Sequence, residues 1–96
     1  MIKVAILGYG TVGSGVFQII KENKELITNK AGHEIDIKYV LDLREFPGDP
    51  CENVLVHDYN IILNDPEVEV IIEVMGGLKP SYDFVKSALE AGKSVC

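Results

Sequence analysis

Gly8, Gly10 and Gly13 stand in the run LGYGTVGSG with the spacing GxGxxG. That spacing suits a pyrophosphate. The first glycine permits a tight turn out of a strand, the second lets backbone approach the phosphates, and the third lets a helix pack closely on a sheet. The amides that open the following helix, those of Thr11 and Val12 included, would face the anion with the helix dipole behind them. No Lys-Ser or Lys-Thr follows the turn, which excludes the P-loop of nucleoside triphosphatases. A glycine turn with no ligand is the competing reading, and the position between a first strand and a first helix weighs against it.

A dinucleotide site of this kind usually places Asp or Glu at the end of its second strand, roughly 20 residues past the glycines, to bind the ribose 2′-OH. Asp42 ends the run EIDIKYVLD, 29 residues past Gly13. A long first helix and the AGHE connection account for the surplus. Arg44 follows two residues later and suits a 2′-phosphate instead. The two pull opposite ways, since Asp42 repels the extra phosphate of NADP and Arg44 attracts it. Use of both NAD and NADP is therefore expected. The competing reading makes Asp42 a turn residue and leaves Arg44 solvated.

The run IIEVMGGLKP holds one carboxylate, breaks at Gly76 and Gly77, and restarts at Pro80. In an open α/β sheet the ligand lies across the carboxyl ends of the strands, at the switch point. EVMGG is such an end, on a strand expected to lie beside the first. Twin glycines would let this loop approach the nicotinamide half of a cofactor, where a side chain would collide. Glu73 precedes the loop, and an unpaired buried carboxylate is very costly. Its expected partners are backbone N–H groups or the helix starting near Pro80. With no acid–base partner nearby, a support role is favoured over that of catalytic base, and no catalytic residue is assigned within these 96 residues.

Other reactive side chains are isolated. His33 and His57 lie in polar loops without neighbours at metal-ligand or triad spacing, so both read as surface residues. Cys51 and Cys96 form no CxxC pair and read as plain thiols, and no metal site is expected. Ser14 and Ser81 read as helix-start residues.

The elements that must position these groups alternate. IKVAIL (2–7) reads as a buried parallel strand with Lys3 near its exposed start. A helix of about 18 residues follows the glycine turn, with Gly32 as its stop. EIDIKYVLD (34–42) is a second strand, and VLV (54–56) a short third one inside an acidic, proline-containing loop. Asp58 can cap a one- or two-turn helix that Pro66 helps to end. EVEVIIEVM (67–75) is the next strand, a helix from Pro80 stops at Gly92, and KSVC starts one more strand. The pattern is that of an α/β chain with a parallel sheet.

The bulk numbers exclude whole classes. The 96 residues are 47% hydrophobic and 25% charged, as in ordinary globular proteins, and make one domain or part of one. A formal charge of −6 with no basic cluster argues against nucleic acid as a partner. No apolar run approaches the roughly 20 residues of a membrane span, and no signal-peptide pattern opens the chain, so a cytoplasmic protein without membrane contacts is expected.

VAILGYGTVGSGV, VLDLREFP, ILNDPEVEVIIEVMGG and P-SYDFVKSALEAGKSV together resemble the amino-terminal cofactor domain of homoserine dehydrogenases. The resemblance covers essentially the whole chain, and the EVMGG–P block is its most specific part. It implies a Rossmann-like three-layer domain, binding of NAD or NADP, and interconversion of L-homoserine and L-aspartate 4-semialdehyde on the route to threonine, methionine and isoleucine. By the same resemblance Gly8 to Gly13, with Tyr9 among them, and the loop of Met75, Gly76 and Gly77 carry over as cofactor contacts. Arg44 carries over less directly, since many members place their basic residue at the position of Leu43. The family's homoserine-binding and dimerisation domain finds no counterpart here. The chain halts in mid-strand at Cys96 and reads as a truncated piece of a homo-oligomeric enzyme, inactive alone. The alternatives are a non-catalytic dinucleotide-binding redox sensor and a transferase of the adenosyl-cofactor kind, which would not explain the twin glycines.

Overall fold

The computed structural model describes residues 2–23, 35–74 and 79–96, with side chains of the last segment described from Asp83 onward. Ile2–Leu7 forms β1, Thr11–Glu22 α1, Ile35–Leu41 β2, Leu55–Val56 β3, Tyr59–Leu63 α2, Val68–Glu73 β4, Lys79–Glu90 α3 and Ser94–Val95 β5. One 3-10 turn, Glu52–Val54, precedes β3. The strands make a single parallel sheet in the order β3-β2-β1-β4-β5. The strand order thus reverses at β1, which opens a crevice at its carboxyl end. This is a Rossmann-like arrangement.

Alternation along the strands divides the core between the two faces of the sheet. Ala5 and Leu7 of β1 join Ile71 of β4 and meet Tyr59, Ile62 and Ala88 from α2 and α3. Ile6 joins Ile37 and Val40 of β2 and meets Phe17 from α1 on the other face. Three layers result. Ile6, Leu7, Ile62 and Ile71 are fully buried, and each contributes about 1.5–3 kcal/mol through burial of its side chain.

The helix ends follow identifiable chemistry. The Asp58 side chain accepts from the Asn60 amide at 2.9 Å and caps α2 as expected. At the end of α3, Gly92 takes φ +83°. Its N–H donates to Leu89 O at 3.1 Å and that of Lys93 to Ala88 O at 3.0 Å. That pairing is a Schellman motif, which needs the left-handed residue. The first helix departs from expectation: α1 has 12 residues, not about 18. Asn23 closes it, donating both its backbone N–H (2.9 Å) and its side-chain Nδ2 (3.0 Å) to Ile19 O. Gly32 and the AGHE connection lie outside the described residues. No helix among the described residues is long and apolar enough to cross a membrane.

Candidate functional site

The carboxyl ends of β1, β2, β3 and β4 meet around a cavity of about 520 Å³, lined by Gly8, Tyr9, Gly10, Leu41, Asp42, Leu43, Arg44, His57, Tyr59, Val74 and Phe84. Ladder bonds carry the strand registers into these loops. Gly8 N–H donates to Leu41 O at 2.7 Å, Asp42 N–H to Val56 O at 3.3 Å, and Val74 N–H to Leu7 O at 3.1 Å. The size and the largely apolar walls, with a few converging polar groups, match a small-molecule site.

The glycine turn divides its labour as the spacing demands. Gly8 takes φ +99°, a conformation in which a side chain would be strained. At Gly13 an added Cβ would stand 2.0 Å from the carbonyl oxygen of Gly8, so α1 can seat against the turn only without it. Gly10 is different. A Cβ there would meet only Arg44 Nη2 at 3.9 Å, an ordinary contact, so nothing in the protein itself requires that glycine. The space it leaves opens on the cavity.

Gly10 is the N-cap of α1, and no side chain caps the helix. Its first internal bond is Ser14 N–H donating to Gly10 O at 2.9 Å. The amides of Thr11, Val12 and Gly13 precede that bond and have no intrahelical acceptor. Thr11 and Val12 are exposed. The helix start thus presents donors to an anion, with the positive end of the dipole behind them.

Tyr9 contributes through its backbone. Its ring is buried and packs edge-on against Phe17 (5.8 Å) and Phe46 (4.9 Å), and its hydroxyl donates to Asp49 Oδ1 at 2.6 Å. Burial and that acidic neighbour push the phenol far above its usual range. Its backbone N–H points the other way and donates to Asp42 Oδ2 at 2.9 Å, which ties the glycine turn to the end of β2.

Asp42 and Arg44 do not oppose one another, as their separate readings suggested. They pair. Arg44 Nε donates to Oδ1 at 3.0 Å, Nη2 to Oδ2 at 2.9 Å, and the Arg44 backbone N–H to Oδ1 at 2.9 Å. The guanidinium also lies over the Phe46 ring at 5.3 Å. The Arg44 side chain first, and the Arg44 and Tyr9 amides after it, hold the Asp42 carboxyl well below the usual carboxylate range despite partial burial. Charges that looked like rivals along the chain neutralise each other at two residues' spacing.

His57 follows β3 and reaches the same rim. Its Nδ1 stands 2.6 Å from Asp42 O and its Nε2 2.9 Å from Glu45 Oε1. The Asp42 carbonyl, with a lesser effect from Glu45, raises its pKa above that of a free histidine. It is a surface residue, as its polar loop implied, but one that lines the cavity. The signal that could have singled it out is its position one residue past a short strand, where side chains face the carboxyl-end crevice.

The remaining candidates divide. Val74 lines the cavity, whereas Met75, Gly76 and Gly77 lie outside the described residues, as does His33. β4 lies beside β1 as expected. Glu73 is half-buried and engaged, its backbone N–H donating to Cys96 O at 2.9 Å. The loop expected to receive its carboxylate is not described. Cys51 is buried, Cys96 exposed, and both are free thiols. Among the described residues no group of three or more His, Cys, Asp or Glu could hold a metal ion.

Comparison with known proteins gives this geometry its family. The family described as "Homoserine dehydrogenase, NAD binding domain" matches residues 8–96. Homoserine dehydrogenase from Bacillus subtilis (strain 168) is 37% identical over 97 residues, covering 98% of this chain and 22% of that protein. The crystal structure of S. aureus homoserine dehydrogenase at pH 7.0 superposes with a TM-score of 0.86 at 40% identity, covering 98% of this chain and 25% of that one. That of the Thiobacillus denitrificans enzyme gives 0.84 at 33% identity, covering 98% and 22%. The chain spans between 22% and 25% of the length of these relatives. It belongs to the homoserine dehydrogenase family, matching the family's NAD-binding domain.

Proposed function

We propose that this chain binds NAD or NADP and supplies the cofactor half of an enzyme that interconverts L-homoserine and L-aspartate 4-semialdehyde. One observation carries the reading. The glycine turn Gly8–Gly10, which opens the uncapped start of α1, and the carboxylate of Asp42 line one cavity and are joined by the Tyr9 N–H···Asp42 bond of 2.9 Å. A dinucleotide needs those two features side by side, an anion seat and a ribose acceptor.

In this reading the helix start holds the pyrophosphate, and the uncluttered backbone at Gly10 lets it come close. Asp42 accepts from an adenosine ribose hydroxyl, and the apolar surfaces of Leu43, Tyr59, Val74 and Phe84 flank the adenine side. The sequence assigns Met75, Gly76 and Gly77 to a second wall, which would face the nicotinamide. The bound cofactor supplies hydride transfer, while the protein orients it and excludes competing reactions. The relatives are about four times longer, as their coverage of 22–25% implies. Homoserine would be held by sequence outside these 96 residues, in a homo-oligomeric cytoplasmic enzyme of threonine, methionine and isoleucine synthesis.

Separate NAD and NADP titrations followed by backbone amide shifts test the binding half. Shifts at Gly8–Gly13 together with Gly76–Gly77 are expected. A folded sample in which neither loop responds to either cofactor defeats the proposal. Homoserine-dependent reduction of NAD or NADP by the protein that carries this sequence tests the reaction. Cofactor binding without that reaction would point to a redox-sensing module instead.

A further inference from the structure

His57 meets an oxygen acceptor at each ring nitrogen: the Asp42 carbonyl at Nδ1, 2.6 Å, and the Glu45 carboxylate at Nε2, 2.9 Å. A carbonyl oxygen accepts and cannot donate, and the same holds for an ionised carboxylate. A neutral imidazole carries one N–H and can satisfy only one of them. The geometry is that of an imidazolium.

The charges facing this ring are few. Asp42 and Glu45 are negative, and Arg44 is positive and paired to Asp42. Tyr59, from α2, shares the cavity, but its hydroxyl is committed to Phe84 O. With His57 protonated the rim is balanced at two cations and two anions. With His57 neutral the rim carries a net negative charge, which repels any anion brought there.

Asp42 adds a second constraint. A carboxylate offers about four lone-pair sites, and this one already takes N–H bonds from Tyr9 and, three times over, from Arg44. A ribose hydroxyl must displace the guanidinium to bind, whereas a phosphate on that ribose can take the guanidinium with it. The Arg44 side chain is 63% exposed, so its swing is open.

We propose that a cationic His57, set beside Arg44 where the 2′-phosphate of NADP would bind, acts through its charge and makes the choice between NADP and NAD depend on pH. The inference rests on the cofactor-binding reading above. The raised pKa of His57 agrees in direction, placing more of the cation near neutrality than an ordinary histidine would hold. The cation is present below its pKa and lost above it, so preference for NADP falls as pH rises through that value. The phosphate of NADP loses its second proton near pH 6. Affinity for NADP therefore peaks between about 6 and the pKa of His57, and affinity for NAD shows no such peak.

The test follows the ring resonances of the two histidines against pH in the free chain, with NAD and with NADP, His57→Gln assigning the His57 signal. NADP is expected to raise the His57 pKa and NAD to leave it in place. By linkage the same factor, about fivefold, reappears in the pH dependence of the NADP-to-NAD affinity ratio. In His57→Gln the peak is replaced by a plain rise with phosphate ionisation. Glu45→Gln removes the negative charge beside Nε2 and moves the peak's upper limb to lower pH. Equal His57 pKa values with both cofactors bound overturn the proposal alone. Failure of both cofactors to shift Gly8–Gly13 at any pH overturns the cofactor reading and this inference with it.

Discussion

Two polar networks sit at opposite ends of the same parallel sheet, each built on an aspartate paired with a basic side chain. At the amino ends, Lys38 Nζ meets Asp65 Oδ2 at 2.6 Å and Tyr39 OH donates to the same oxygen at 2.7 Å. Beside them the buried Lys93 Nζ donates to the carbonyls of Asp65 (2.7 Å) and Val68 (2.8 Å). At the carboxyl ends, Asp42, Arg44 and His57 line a cavity, with Glu45 bonded to His57 behind them. The first network is aimed at backbone and at neighbouring strands. The second is aimed at open space, with donors that can change partner. A carboxylate and a cation staple a sheet at one end and face a cavity at the other, and strand direction decides which.

The sharpest way to break this contrast is Gly13→Ala. The added methyl would lie 2.0 Å from Gly8 O and 2.9 Å from Gly8 C, both backbone atoms that cannot swing aside. Overpacking of this kind destabilises by about 1–3 kcal/mol or more, and here the displaced atoms are the anion seat itself. Loss of stability in urea and loss of cofactor-induced shifts are expected together. Gly15→Ala is the control, because a Cβ there meets nothing within 4 Å and alanine favours a helix. A tolerated Gly13→Ala that still binds cofactor would show that α1 is not locked against the turn.

Lys93→Met tests the other end. The methionine fills the stem but leaves two buried carbonyls without their charged donor, a loss of about 1–3 kcal/mol. The urea midpoint is expected to fall while affinity for NAD and NADP holds. A parallel fall in affinity, in protein still folded, would mean that the two ends of the sheet are coupled.

Most of the sheet was legible because its signals are local. Apolar runs with β-branched residues, a glycine turn, Asp58 before an apolar run and Gly92 after one each imply their element without tertiary knowledge. The end of α1 was not, since the capping signal is a single Asn23 amide within a run that remains polar and helix-compatible. The site was half legible. GxGxxG and Asp42 announce themselves by spacing, but the bidentate Asp42–Arg44 pair depends on a rotamer that spacing does not encode. His57 follows a short strand that the sequence marks, but its place on the rim depends on β3 pairing in parallel with β2, a contact between distant segments.

Acid separates the two networks more gently. Lys38, then Tyr39 and the Glu67 amide, lower the Asp65 pKa to about 2, and Asp42 is lowered further by Arg44. Unfolded aspartate titrates near 3.9. Both groups therefore contribute stability that is fully present above that value and lost as pH falls through the folded one. The urea midpoint is expected to decline as pH drops below about 4. Asp65→Asn should flatten the first part of that decline without touching cofactor affinity, and Asp42→Asn the later part while weakening NAD. An unchanged acid profile in both variants would locate the acid sensitivity elsewhere in the chain.

The smallest effect on the fold, and the finest probe of the site, is Arg44→Ala. The Arg44 side chain is 63% exposed, but its partner Asp42 only 10%, so the urea midpoint should fall modestly, more than for a fully exposed pair, and the Asp42 part of the acid decline should shrink with it. Affinities should move in opposite directions. Asp42 keeps the Tyr9 and residue-44 backbone amides but regains the lone pairs that Nε and Nη2 occupied, so a ribose 2′-OH enters without displacing anything. NADP loses a cation and meets a carboxylate no longer neutralised. NAD binding a few-fold tighter with NADP several-fold weaker is the expected pattern, read from separate titrations at one ionic strength because phosphate contacts are screened by salt. Weakening of both cofactors by the same factor would instead assign Arg44 to a surface they share, with its planar guanidinium lying against the adenine ring rather than reaching for the phosphate.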